Sequence, residues 1–96
     1  MLFHVVMIKF KPEASDDQIG AIESALDDLP NHIVEINTYE FGRDIVKSER
    51  SYDFALIATF ANLTSMQRYQ THPEHVAVLK KIRAISEDIR AVDFEL

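Results

Sequence analysis

The nine residues Leu2-Phe3-His4-Val5-Val6-Met7-Ile8-Lys9-Phe10 decide the fold. They are β-branched, aromatic or otherwise apolar, which is the composition of a strand. Side chains alternate across a strand, so Leu2, His4, Val6, Ile8 and Phe10 share one face while Phe3, Val5, Met7 and Lys9 share the other. Both faces are greasy. A sheet built on this strand has two surfaces to cover.

Working outward, Lys11-Pro12 closes the strand and Ser15-Asp16-Asp17-Gln18 has the form of a capping box, with acids at the positive end of the coming helix. That helix sets Ile19, Ile22, Leu26 and Leu29 on one stripe, supported by Ala21 and Ala25, and ends at Pro30-Asn31. A second strand is expected from about His32 to Phe41, where Ile33, Val34, Ile36, Tyr39 and Phe41 precede the breaker Gly42. Arg43 to Ser51 is polar and alternates in charge, as a solvated connection does. The third strand, Tyr52 to Ala61, places Tyr52, Phe54, Leu56, Ala58 and Phe60 on one face and Ala55, Ile57, Thr59 and Ala61 on the other.

Asn62 or Thr64 caps a short helix through Tyr69. Pro73 then forces a break, because the residue before a proline is biased away from helical geometry. Proline suits a first helical position, so another helix starts there and presents Val76, Leu79, Ile82 and Ile85 on one side. The last strand, about Ile89 to Leu96, puts Val92, Phe94 and Leu96 on one face. The order β-α-β-β-α-β is the α+β, ferredoxin-like arrangement, a four-stranded antiparallel sheet with helices on one face. The opposite face, carrying Phe3, Val5 and Met7, is then an apolar patch larger than soluble monomers carry. A twofold copy covers it, giving a homodimer joined through its sheet faces. The competing reading is a mixed second face, broken by Lys9, Asp53 and Asp93.

Composition agrees with a small assembly. The 96 residues make one domain, 1–96, and a domain of this size buries only roughly 60–65% of its unfolded surface. Cysteine is absent, so disulfides and thiolate metal sites are excluded and oligomerisation is the remaining support. The net charge of −6, with Lys80-Lys81-Arg83 the one basic cluster, argues against nucleic acid. No apolar run approaches the ~20 residues that span a bilayer, and the N-terminal stretch reads as a strand rather than a secretory signal. No membrane partner and a cytoplasmic location are expected. Two isolated glycines are too few for a phosphate loop or a dinucleotide fingerprint, and no cofactor is expected.

The chemistry concentrates in Tyr69-Gln70-Thr71-His72-Pro73-Glu74-His75. If Pro73 is the first helical residue, His75 lies in the first turn, where the helix dipole disfavours the imidazolium and leaves a base. Tyr69 supplies a phenol donor nearby, and His4 reaches the same place from the sheet, which suggests a general-base and donor pair. His72 has two readings, a turn or cap residue before the proline and a ligand-binding residue beside His4. A metal held by His72, His75 and Glu74 is a competing reading, disfavoured because the proline takes His72 off the helix and spoils the shared face.

His4-Val5-Val6-Met7-Ile8-Lys9-Phe10-Lys11, Tyr52-Asp53-Phe54-Ala55-Leu56, the Tyr69–His75 segment and Val92-Asp93-Phe94-Glu95 together resemble the stress-responsive A/B barrel (Dabb) family over essentially the whole chain. The resemblance implies a dimeric α+β barrel in which two ferredoxin-like protomers pack sheet to sheet. It includes plant stress-linked proteins and polyketide cyclases, in which the residues matching Tyr69 and His75 form the acid–base pair and the one matching His4 lines the cavity. The functional expectation is a small dimeric protein that binds an apolar or aromatic ligand between sheet and helices. A cofactor-independent, cyclase-like enzyme using His75 and Tyr69 is the first alternative, and a cofactor-free monooxygenase of the wider barrel group the second.

Overall fold

The computed structural model describes residues 1–96. The chain runs β1 (Leu2–Phe10), α1 (Asp16–Asp28), a single 3-10 turn (Leu29–Asn31), β2 (Thr38–Arg43), β3 (Phe54–Phe60), α2 (Leu63–Thr71), α3 (Pro73–Ala84) and β4 (Ser86–Glu95). The four strands form one antiparallel sheet in the order β2-β3-β1-β4, with the helices on one side, and the fold is ferredoxin-like.

Register settles the two faces of β1. His4 lies opposite Ala58 and Asp93, whereas Val5 lies opposite Ile57 and Val92. Residues directly opposite in an antiparallel ladder share a face. Leu2, His4, Ile8 and Phe10 are buried beneath the helices, where they meet Ile22, Leu26, Phe54, Phe60, Tyr69 and Ile82. On the outer face Met7 is 43%, Ile57 45%, Val92 62% and Phe94 40% exposed. Phe3 stacks on Phe94 there, ring centres 5.2 Å apart.

Of the three charges expected to interrupt this face, only Lys9 lies on it. Asp93 is on the helix side opposite His4, and Asp53 accepts a 2.8 Å hydrogen bond from the Phe10 N–H. Glu40, Asp88 and Arg90, on the flanking strands β2 and β4, bring charge to the margins.

Caps hold the helical layer in place. Ser15 and Gln18 form the reciprocal capping box of α1, and Asn62 accepts the Ser65 N–H at the start of α2. The stripe of α1 is buried at Ile22 and Leu26 as its spacing predicts. That of α3 is rotated from the expected one, with Val78 and Ile82 buried and Val76 exposed. The helix is apolar at 76 through 79, so spacing alone left its phase open and the sheet selects it.

Two boundaries differ more. The second strand begins at Thr38, not His32, because Pro30 starts a 3-10 turn whose Leu29 carbonyl accepts the N–H groups of both His32 and Ile33. Ile33 is nonetheless fully buried and Ile36 packs against the core, both from irregular backbone. At the other end β4 starts at Ser86, earlier than its apolar residues suggest, with Ser86 opposite Phe10 and a register shift before Asp88 pairs with Lys9. The third strand is trimmed to Phe54–Phe60, and α2 runs two residues past Tyr69.

Candidate functional site

Between the sheet and α2–α3 lies a cavity of about 240 Å³. Its floor is made by buried side chains, among them Ile8, Leu26, Leu56 and Tyr69, while the exposed Gln70, Arg83 and Ala91 mark its opening. His4, Tyr69 and His75 all line it. Three segments far apart in sequence thus deliver their polar side chains to one apolar space.

The break at Pro73 creates the central pair. It turns the chain between α2 and α3 so that the Tyr69 and His75 rings lie 4.2 Å apart between centres. His75 Nδ1 is 3.1 Å from the Gln70 carbonyl. A carbonyl only accepts, so Nδ1 carries the proton and Nε2 keeps the lone pair. Burial holds the His75 pKa below the usual histidine value; the Gln70 carbonyl opposes this, and the nearby His4 ring, the Arg83 guanidinium and the His72 ring add to the lowering. The ring is therefore a neutral base near pH 7.

Tyr69 is 1% exposed, and burial pushes its phenol up to about 12 while the Tyr39 hydroxyl opposes the rise. The two oxygens are 2.6 Å apart. Burial raises Tyr39 as well, with Tyr69 adding to it, and either hydroxyl can be the donor of the bond between them. With Tyr39 as the donor of that bond, the Tyr69 O–H is free to donate into the cavity that both rings line. Tyr39 is a site residue that the sequence reading did not single out.

His4 binds through Nδ1 to the Asp93 carboxylate across the β1–β4 ladder. Its ring meets Tyr69 edge-on at 6.2 Å. With Nδ1 engaged, Nε2 is the nitrogen available to the cavity. His72 stands apart. Its Nδ1 accepts the Glu74 N–H at 3.1 Å and caps α3, and it does not line the cavity. No group of three histidine, cysteine or acidic side chains is placed to hold a metal ion.

A four-stranded antiparallel sheet with its helices on one face places the chain in the ferredoxin-like class of folds. The chain belongs to the stress responsive A/B barrel domain family, whose model matches residues 2–96. It is 27% identical over 94 residues to the stress-response A/B barrel domain-containing protein DABB1 of Arabidopsis thaliana, a match covering 95% of this chain and 45% of that protein. The chain thus spans less than half the length of that relative. Over 93 residues it is 26% identical to olivetolic acid cyclase of Cannabis sativa, covering 95% of this chain and 92% of the cyclase. Among solved structures, a dimeric ferredoxin-like protein of unknown function from Thermobifida fusca superposes with a TM-score of 0.91 at 33% identity, over 99% of this chain and 90% of that one. No helix is long and apolar enough to cross a membrane.

Proposed function

We propose that the chain binds a small, largely apolar carbonyl compound between sheet and helices and acts on it by acid–base chemistry, as a homodimer joined through the outer sheet faces. The observation that carries the chemistry is the His75 tautomer. Its Nδ1–H is held by the Gln70 carbonyl, which leaves the lone pair on Nε2 of a ring that lines the same cavity as Tyr69. In this reading Nε2 takes a proton from the carbon beside the carbonyl, and the electron pair moves onto the carbonyl oxygen, which accepts a hydrogen bond from the Tyr69 O–H. No cofactor is required for that step. The likeness to olivetolic acid cyclase supports a reaction of this type, and apolar walls suit an aromatic or alkyl substituent.

Deuterium exchange into the methylene beside the carbonyl of benzylacetone tests it. Catalysed exchange is expected, lost on His75→Ala in a variant that keeps its circular dichroism and oligomeric state. The sign of the pH dependence follows from the depressed His75 pKa: exchange persists on acidification to the ordinary histidine value near 6.5 and falls only below it. Saturable binding of benzylacetone without exchange would restrict the protein to a binding role.

A further inference from the structure

The cavity wall carries one permanent charge, and its sign opposes that of the chain. There are 16 Asp and Glu against 10 Lys and Arg, yet no carboxylate lines the cavity and Arg83 does. Arg43 and Arg90 are each ion-paired with carboxylates, and Arg83 takes part in no ion pair. A cation in the last turn of α3 suits the helix dipole. Lys81 shares that turn, however, and lines a different hollow, beside Ile22 and Ala84. The dipole therefore accounts for a charge in the turn but not for one on the cavity wall.

Position gives the charge a use. Arg83 is exposed at the opening, whereas the floor beneath it is apolar. We infer that the cavity takes a small amphiphilic acid, its apolar body against Ile8, Leu26 and Leu56 and its carboxylate on Arg83. A planar guanidinium at an apolar mouth matches a carboxylate in shape as well as charge.

The surrounding groups agree. His75 on α3, His72 at its N-terminal cap, Tyr69 on α2, Tyr39 on β2 and His4 on β1 bring no negative charge at neutral pH, and Asp93 on β4 is engaged by His4. Arg83 is among the neighbours that push the proton off His75. A bound carboxylate reverses that push and draws the His75 pKa upward, so occupancy would be legible in the base itself.

This inference rests on the small-molecule reading of the cavity, and the two are separable by comparing hydrocinnamate with its neutral isostere hydrocinnamamide, both followed by NMR titration of the intact protein. The acid is expected to bind on the order of fivefold tighter, a modest factor because the guanidinium is partly solvated. Hydrocinnamate should raise the His75 pKa and the amide should not. Arg83→Gln should bring the two affinities within about twofold by weakening the acid, Arg83→Lys should retain part of the preference, and Lys81→Gln should retain all of it. Equal binding of acid and amide by the unaltered chain, or a preference that survives Arg83→Gln, overturns the inference and leaves the cavity reading standing. If neither compound shifts cavity resonances at millimolar concentration, both readings fall.

Discussion

At Tyr69 two effects oppose each other. Burial raises the phenol pKa, and the hydrogen bond with the Tyr39 hydroxyl 2.6 Å away lowers it. Tyr39→Phe removes that hydroxyl and keeps the ring. The Tyr69 pKa should then rise above its value of about 12, seen as a later phenolate transition in ultraviolet titration. Loss of one buried hydrogen bond should cost about 1 kcal/mol of stability in denaturant unfolding. Because Tyr39 sits in the cavity only through the register of β2, its role was not legible from the sequence. Its alternation with Phe41 was visible, but the parity of that face relative to the helices depends on a ladder that pairs Tyr39 with Ala58. Asp93 was hidden for the same reason: a carboxylate opposite His4 is a fact of β1–β4 register. Tyr69, His75 and His4 were readable because the Pro73 break and the strict alternation of β1 are local signals.

Among the elements, the α2–α3 junction does most to build the site. His72 is at once the last cap of α2 and the first cap of α3, extended at φ −63° and ψ 133° as a residue before proline must be. Its ring accepts the Glu74 N–H, so His72→Ala should cost about 1 kcal/mol while His72→Asn, an able cap, should cost less. Neither should change affinity for benzylacetone, since His72 is outside the cavity wall. Thermal unfolding and a binding titration on the same two variants separate the roles; weakened binding in the stably folded asparagine variant would return His72 to the ligand site. Elsewhere, legibility followed the nature of the signal. The first strand and the Ser15 cap were readable because alternation and capping are local. The start of β2 was not, because Ile33 and Ile36 are apolar for the sake of the core and reach it without a ladder. Ser86, Glu87 and Asp88 disguise the start of β4, being polar residues on an edge strand whose outer positions face solvent.

For the whole molecule the outer sheet face remains, and its composition argues for a second copy. Val5 pairs with Ile57 on one side and Val92 on the other, and Phe3 with Phe94. These residues form a continuous apolar centre, with Lys9, Glu40, Asp88 and Arg90 toward its margins. A stable interface covers about 800 Å² per partner, and an apolar centre with a polar rim is its usual anatomy. The similar Thermobifida fusca protein is dimeric. Val92 gives the cleanest test because at 62% exposure it supports little of the protomer's own core. Val92→Glu should leave circular dichroism and cavity binding intact and, through an uncompensated charge beside Val5 within the contact, shift light scattering from a dimer of about twice the 11.0 kDa chain mass to the monomer. Val6→Glu, one residue from Val5 but on the cavity side, should instead unfold the protomer or empty its cavity. An unaltered dimer in Val92→Glu would place the contact on another surface and leave this apolar face without its proposed cover.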